Sequence, residues 1–334
     1  MMDASGQRSS MESGLVSVIV PTFNAGALLD QAIDSLLAQS YTPLEIIVVD
    51  DGSTDGSADA LAARLGDRIT LLRQPNRGKP AALNHALSVA RGEFYALQDA
   101  DDYSHPERIA RQVAALQRRP ETAGVFCGYQ LVLDGHTLAP HFRSKDEARC
   151  RADIEAFRMP GHDPTALYRR AVVGGLEYNE ALPVVEGYDY VLRVGEQWPL
   201  HVLGACLYAY RVHNDTVTKR DPERRTRLLQ VAKEEAAARR GTPLPETARR
   251  PLSGRRLRDN DLMSIFMESV ADLRYAGRRW EALQCGLQCA ACCPYELHYY
   301  RPLLAGLAPL RLYEWARPVR RPLIEPGAHQ RLFA

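Results

Sequence analysis

Three carboxylates follow a short apolar segment in the stretch "FYALQDADDYSHPERI", residues 94–109. Asp99, Asp101 and Asp102 come directly after four residues typical of a buried strand, and Asp50 and Asp51 end a similar run, "EIIVVDD". Carboxylates that converge repel one another unless a cation or hydrogen-bond donors offset their charge. Oxygen ligands without clustered His or Cys favour Mg²⁺ or Mn²⁺ over zinc. The pattern predicts a divalent-cation site, although Asp is also common at strand ends and helix N-caps.

The segments that carry these acids alternate between two hydrophobic periods. Short runs without polar alternation, such as "VSVIV", "EIIVVD", "ITLLR" and "GVFCG", are separated by longer segments of helical period. This alternation predicts an α/β fold, a doubly wound and mostly parallel sheet with helices on both faces. Ligands of such sheets bind beyond the carboxyl ends of the strands. The candidate loops are therefore 21–26, 50–56 and 99–106.

Composition and charge exclude several classes of protein. The chain has 334 residues, 46% of them hydrophobic, and a formal net charge of +1, which gives no reason to expect a nucleic-acid partner. Its apolar runs are much shorter than the roughly 20 residues of a membrane-spanning helix. The polar start "MMDASGQRSSMESG" lacks the apolar core of a signal peptide, so we expect a cytoplasmic protein. Its seven cysteines are expected to be reduced thiols.

Five motifs occur in a fixed order between about Val16 and Val217: "VSVIVPTFN", "IIVVDDGSTDGS", "NRGKPAALNHAL", "GEFYALQDADDYSHPERI" and "LYAYRVHNDTVT". In order and spacing they resemble the family 2 glycosyltransferases. The resemblance implies a GT-A fold and transfer of a sugar, usually with inversion, from a nucleotide-diphosphate donor to an acceptor hydroxyl. It also implies a Mn²⁺ or Mg²⁺ cofactor and a saccharide or lipid-linked acceptor in polysaccharide, glycolipid or other glycoconjugate synthesis.

The resemblance assigns roles to residues of these motifs. Pro21 and Phe23 would line the nucleobase pocket, with Phe23 as the stacking ring, and Asp51 would accept a hydrogen bond from the base. Asp101 would be the principal metal ligand, and Asp99 would contact the metal or the ribose. The remaining assignments are Lys79 beside the donor phosphates and His213 near the metal or diphosphate. A strand-end histidine that only bonds to backbone is the alternative for His213.

The position of the catalytic base departs from the family's pattern. Inversion requires a carboxylate that takes the acceptor's proton. The resemblance places it ahead of a helix that here reads "VVEGYDYVLRV", and the expected aspartate is replaced by Gly187. Glu186 and Asp189 are the two candidates, and we favour Glu186 because Asp189 also suits the positive end of the helix dipole. In "MPGHDPTALYRR", His162 and Asp163 either contact the acceptor or form an ordinary loop.

The chain is predicted to divide into four parts. Residues 1–14 form a disordered tail, and residues 15–127 form the nucleotide-sugar-binding half of the GT-A domain. Residues 128–240 form the acceptor-binding half, and residues 241–334 form a linker and a helical C-terminal extension.

Two features of the extension allow more than one interpretation. Cys285, Cys289, Cys292 and Cys293 lie along one side of a predicted helix, which favours burial over a zinc site, since zinc usually draws ligands from separate elements. The five arginines between Arg301 and Arg321, mixed with Leu, Trp and Tyr, suit peripheral contact with an anionic membrane. Docking onto the catalytic domain or onto a partner fits them equally well.

Two rival functions are weaker. A nucleotidyltransferase needs a basic, glycine-rich phosphate loop after its first strand, whereas this chain has "PTFNAGALLD" there. A non-catalytic nucleotide-sugar-binding or scaffolding protein would fit Gly187, but it would have no need to keep Asp51, Asp99, Asp101 and His213.

Overall fold

The computed structural model describes residues 11–133, 136–141, 144–212, 221–249, 270, 274, 279–292 and 300–307. These residues fall into two compact units. The first includes residues 11–129, 144–211 and 221–249, and the second includes residues 130–133, 136–141, 212 and those from 270 onward. Every site residue discussed below, except His213, belongs to the first unit.

The strands are β1 (Glu12–Thr22), β2 (Leu44–Asp50), β3 (Thr70–Arg73), β4 (Gly92–Leu97), β5 (Tyr103–Ser104), β6 (Gly124–Leu133), β7 (His136–His141), β8 (Ala166–Arg169) and β9 (Leu200–Val212). The α-helices of the first unit are α1 (Ala27–Leu37), α2 (Ser57–Leu65), α3 (Lys79–Val89), α4 (Arg108–Gln117), α5 (Glu147–Glu155), α6 (Arg170–Val173), α7 (Glu186–Gln197), α8 (Pro222–Arg239) and α9 (Glu246–Arg249). Short 3-10 turns span Gly66–Arg68 and Asp163–Thr165.

The sheet combines parallel pairs in its first half with the antiparallel pairs β4–β8, β8–β6 and β9–β5 in its second half. Its order is β3-β2-β1-β4-β8-β6-β9-β5, with β7 paired to β6. The pairs among β3, β2, β1 and β4 are parallel, and β8 runs antiparallel to both β4 and β6. A parallel pair needs a long crossover, usually helical. The sequence loses its regular helical spacers after about Gly128, and antiparallel pairing begins with the strands of that region.

Successive side chains of a strand point to opposite sides of the sheet. Helices cover both sides of the central strands, so both sets of side chains are buried. Ile19, Ile47 and Val49 pack on one face with Ala82, Leu83 and Ala86 of α3. Val18, Val20, Ile46 and Val48 pack on the other face with residues of α1 and α4, including Leu29, Ile33, Ile109 and Val113. The layers of helix on each side explain why these strands lack polar alternation, as the sequence predicted.

The register of the parallel strands brings three loops to one edge. Thr22 of β1 lies beside Asp50 of β2, and Ile19 of β1 lies beside Leu97 of β4. The chain therefore leaves β1, β2 and β4 at neighbouring points of the same edge. The Asp51 amide donates to the Thr22 carbonyl at 2.9 Å, which joins the first two loops directly.

The second unit contains two further helices, α10 (Arg279–Cys292) and α11 (Arg301–Leu307). They pack with their backbones close together, since a Cβ on Gly286 would come within 2.5 Å of the Leu303 Cα. The side chain of Cys285 is buried. The side chains of Cys289 and Cys292, and all of Cys293, lie outside the described residues.

Within the part of the chain that the structure describes, no helix combines the length and apolar character needed to cross a membrane.

Candidate active site

The first part of the site is formed by the loops after β1 and β2. Asn24 has a positive φ of 51°. Its amide donates to Ser53 Oγ at 2.9 Å, and its own Oδ1 accepts from the Thr54 amide at 2.8 Å. These two bonds fix the loop that presents Phe23, whose side chain is 47% exposed at the sheet edge. Pro21 precedes it within β1, beside Val49 of β2.

Asp51 is buried directly after β2 and holds the loop that leads into α3. Its carboxylate accepts hydrogen bonds from Gln74 Nε2 at 2.9 Å and from the amides of Arg77 and Gly78, both at 2.8 Å. A carboxylate has about four acceptor sites, so three protein donors leave room for one more. Its predicted contact with a nucleobase stays a prediction.

Lys79 begins α3 and points toward two acids from other elements. Its Nζ lies 2.6 Å from Asp99 Oδ1 and 3.6 Å from Glu186 Oε1. Burial lowers the pKa of Lys79, but the carboxylates of Asp99 and Glu186 outweigh this effect and raise it above its usual value. The ammonium group is therefore held in its charged form between the loop after β4 and the first turn of α7.

Asp99, Asp101 and Asp102 form an acid cluster after β4. Each offers a carboxylate oxygen within 4.8 Å of the others. Asp102 is fully buried, and its Oδ1 accepts from the Arg211 amide at 2.8 Å. Burial, together with the charges of Asp101 and Asp99, raises the pKa of Asp102 well above its usual range. The donor set consists of carboxylate oxygens, which suits a hard divalent cation.

A buried arginine links the strand that precedes this cluster to a neighbouring turn. Arg108, at the start of α4, is fully buried. Its guanidinium donates to the Leu97 carbonyl at 2.9 Å and to the Pro164 carbonyl at 2.8 Å. It therefore ties the end of β4 to the 3-10 turn at Asp163–Thr165. This role of Arg108 was not predicted from the sequence, although Arg108 and Gln112 form a polar i, i+4 pair among the buried positions of an amphipathic helix.

The two acids proposed from the sequence as bases lie in different surroundings. Glu186, which is 6% exposed, faces Lys79 and thus the acid cluster. Asp189 accepts from Arg193 Nε at 2.7 Å, and its other oxygen lies 3.6 Å from Arg239 of α8. The structure thus places Glu186 beside Lys79 and Asp189 between α7 and α8. His213 lies outside the described residues.

Asp163 is a further carboxylate beside these groups. Its Oδ1 accepts a hydrogen bond from the Tyr168 hydroxyl at 3.0 Å. Burial raises its pKa to about 7, against the opposing effects of Lys79 and of the Tyr168 hydrogen bond. The sequence left Asp163 as either an acceptor contact or part of an ordinary loop, because nothing in the local pattern links it to α7.

Comparisons with known proteins agree with this architecture. Residues 17–174 match the model of the family described as glycosyl transferase family 2. A glycosyltransferase of Rickettsia felis is 27% identical over 220 residues, which make up 62% of this chain and 35% of that protein. The chain thus spans about a third of that relative's length.

Two solved structures share the fold. TarS 1-349 from S. aureus, in complex with UDP-GlcNAc, superposes with a TM-score of 0.57 at 18% identity, over 93% of this chain and 94% of that one. Mannosyltransferase PcManGT from Pyrobaculum calidifontis, in complex with GDP-Man and Mn²⁺, gives 0.53 at 22% identity, over 91% and 88%. The predicted GT-A fold with a C-terminal helical extension is confirmed. Residues 17–174, which carry four of the five motifs, therefore belong to glycosyl transferase family 2.

Proposed function

We propose that the chain is an inverting, metal-dependent glycosyltransferase that moves a sugar from a nucleotide-diphosphate donor to an acceptor hydroxyl. The observation that carries this proposal is the acid cluster beside Lys79 at the edge where β1, β2 and β4 end. Carboxylates for a cation and an ammonium for phosphate oxygens are complementary to a metal-bound diphosphate. The complexes of the two structural neighbours with UDP-GlcNAc and with GDP-Man and Mn²⁺ support it.

In this proposal the loops after β1 and β2 bind the nucleoside. Phe23 offers an exposed ring for stacking on the base, and Pro21 lines the same pocket. Asp51 uses its remaining acceptor site for a donor on the base, while its other bonds keep the 76–78 loop in place. Lys79 contacts the diphosphate.

The acid cluster is the proposed site of Mn²⁺ or Mg²⁺. Asp101 is the principal ligand and Asp99 its partner, and His213 is a third candidate. A bound divalent cation would neutralise negative charge on the leaving diphosphate. Asp102 serves to brace the loop, because the Arg211 amide holds its Oδ1.

The roles of the two halves of the domain and the location of the protein are also proposals. Residues 15–127 bind the donor, and residues 128–240 bind a saccharide or lipid-linked acceptor. The proposed location is the cytoplasm. Peripheral membrane contact through the arginine-rich tail stays a prediction, since most of that tail lies outside the described residues. Flotation of the full chain with anionic and neutral liposomes tests it, and equal recovery with both contradicts it.

The proposed function is tested with the full chain and a panel of nucleotide sugars. Asp101→Ala is expected to abolish Mn²⁺-dependent binding of UDP or GDP and the release of nucleoside diphosphate from UDP-GlcNAc or GDP-mannose, with no loss of folding. Asp67→Ala, which removes an exposed carboxylate from the 3-10 turn after α2, is the matched control. Normal turnover in Asp101→Ala would contradict the metal assignment. Nucleotide binding without any turnover by the unaltered chain would favour a binding protein instead.

A further inference from the structure

Gly187 leaves space in the first turn of α7, and a neighbouring side chain fills that space. A Cβ built on Gly187 would lie 2.6 Å from Oδ2 and 2.9 Å from Cγ of Asp163. Both distances are well below van der Waals contact, so any side chain at position 187 would displace the Asp163 carboxylate. Asp163 and Gly187 are therefore mutually dependent, and the carboxylate projects to the place where a side chain of α7 would begin.

The carboxylate of Asp163 is fixed by its surroundings. It begins the 3-10 turn Asp163–Thr165, in which the Thr165 amide donates to the His162 carbonyl at 2.9 Å. The Tyr168 hydroxyl holds Oδ1, and the Tyr168 ring lies 5.2 Å from that of Tyr95 and 5.7 Å from that of Tyr190. A buried group of aromatic rings thus orients the acid. Such preorganisation is what a catalytic group requires.

The charges around Asp163 come from the candidate donor site. Lys79 of α3, Glu186 of α7 and Asp99 after β4 all act on its ionisation. The geometry agrees, because Gly187, which faces Asp163, directly follows Glu186, and Glu186 lies 3.6 Å from Lys79. The pKa of Asp163, about 7, is close to neutral pH, where a general base transfers protons most effectively.

The two acids of α7 have other partners. Asp189 joins α7 to α8 through Arg193 and Arg239. Glu186 lies 3.6 Å from Lys79 and so helps to hold that ammonium group. Asp163 Oδ1, in contrast, accepts a hydrogen bond from a neutral hydroxyl group. Its Oδ2 is the atom nearest to the position that a Cβ of residue 187 would occupy.

We propose that Asp163 is the general base of the transfer, an inference that rests on the function proposed above. The acceptor's O–H bond breaks, and its proton moves to the Asp163 carboxylate. The electron pair of that oxygen forms the new bond to the anomeric carbon. The bond from this carbon to the diphosphate oxygen breaks, and its electrons leave with the nucleoside diphosphate. Gly187 is the residue that admits the carboxylate to this position.

The first test compares turnover with nucleotide binding in the full-length chain. Water replaces the acceptor, and nucleoside diphosphate released from UDP-GlcNAc or GDP-mannose with Mn²⁺ is measured. Asp163→Asn keeps the size of the side chain and an oxygen for the Tyr168 hydroxyl, but it cannot take the proton. Turnover is expected to fall about 10²- to 10⁴-fold, the usual contribution of a general base, with Kd for UDP or GDP unchanged within about twofold. Tyr168→Phe removes only the hydrogen bond and is expected to cost less.

A second test moves the carboxylate to the facing element. Gly187→Asp in the Asp163→Ala background returns an acid to the same space from α7, and turnover is expected to recover at least tenfold over Asp163→Ala alone. The matched control is Gly187→Ala in the Asp163→Ala background, which fills the space without a carboxylate and is expected to give no recovery. Recovery with alanine would indicate a packing role and overturn the inference.

The possible failures are distinguishable. If Asp163→Asn turns over normally while Glu186→Gln or Asp189→Asn does not, the base lies on α7 and the inference is wrong, while the proposed function stands. If the unaltered chain neither binds UDP or GDP nor releases them from any donor sugar, both the inference and the proposed function are wrong.

Discussion

Lys79 Nζ lies 2.6 Å from Asp99 Oδ1, and this ion pair joins the start of α3 to the acid cluster after β4. The pair places a fixed positive charge beside carboxylates that would otherwise repel one another. In a partly buried site such a charge interacts more strongly than at the surface. Lys79 therefore offsets the charge of the acids, and in the proposed function it also presents a cation to the donor phosphates.

Replacing Lys79 is expected to weaken nucleotide-diphosphate binding more than it weakens the fold. Lys79→Met removes the ammonium group and should raise the Kd for UDP or GDP, measured by calorimetry with Mn²⁺, by roughly 10- to 100-fold, as for a lost charge-assisted hydrogen bond. Lys79→Arg keeps the charge and should lose less. Equal affinity of Lys79→Met and the unaltered chain would show that the ammonium group does not contact phosphate.

Replacing Phe23 is expected to lower nucleotide affinity without lowering the melting temperature. Because its ring is 47% exposed, Phe23→Ala should leave the melting temperature within about a degree. Loss of stacking on a base is expected to cost about 1–3 kcal/mol of nucleotide affinity. Phe23→Tyr keeps a stacking ring and serves as the control. A large drop in melting temperature for Phe23→Ala would instead assign the ring to the core.

Arg108 is expected to be a major contributor to stability. Arg108→Met removes a buried guanidinium and leaves the carbonyls of Leu97 and Pro164 without their donor, so the free energy of unfolding should fall by roughly 3 kcal/mol or more. The control is Arg111→Met on the same helix, where an exposed i, i+4 pair with Glu107 should contribute less than about 1 kcal/mol. Urea unfolding measures both, and equal losses would contradict the assignment.

The raised pKa of Asp163 predicts how stability changes with pH. The folded chain holds this proton up to about pH 7, whereas an unfolded aspartate releases it near 3.8. Proton binding therefore favours the folded state below about pH 4, and this contribution is lost as pH rises to 7. The stability advantage of Asp163→Asn, which cannot ionise, over the unaltered chain should therefore be larger at pH 8 than at pH 4, by on the order of 4 kcal/mol. A difference that stays constant between these pH values would contradict the buried position of the acid.

The same ionisation predicts the acid limb of turnover. Because the base must be deprotonated, release of nucleoside diphosphate should rise tenfold per pH unit below about pH 7 and level off above it. The groups that act on Asp163 are Lys79 of α3, Asp99 after β4, Tyr95 of β4, Tyr168 of β8, Tyr178, and Glu186 and Tyr190 of α7. The tyrosines have raised pKa values and stay neutral here, so they do not produce a second limb near pH 7. A limb centred near pH 4 would contradict the assignment.

The central strands and the acidic loops that follow them could be predicted from the sequence. Runs such as Val16–Val20 and Ile46–Val49 are continuous because helices cover both faces of the sheet. The position of Asp99 and Asp101 follows from the rule that parallel strands end at a common edge.

The contact between Asp163 and Gly187 and the burial of Arg108 could not be predicted from the sequence, because both depend on packing between separate helices, strands and turns. The meeting of Asp163 and Gly187 arises from the way α7 packs against the 3-10 turn, and no local periodicity encodes that packing. Arg108 was missed for a related reason, since a charged residue on a helix is expected to face solvent. Its burial follows from carbonyl groups that converge on it from β4 and the Asp163–Thr165 turn.

The contact between Asp163 and Gly187 means that the two positions cannot be substituted independently of each other. Only one of them can carry a side chain into the shared space, so an acid gained at 187 requires a smaller residue at 163. A survey of relatives that looks only at position 187 would find glycine in this chain and would miss the carboxylate that Asp163 places in the same space. Scoring positions 163 and 187 together would count an acid that reaches this space from either element.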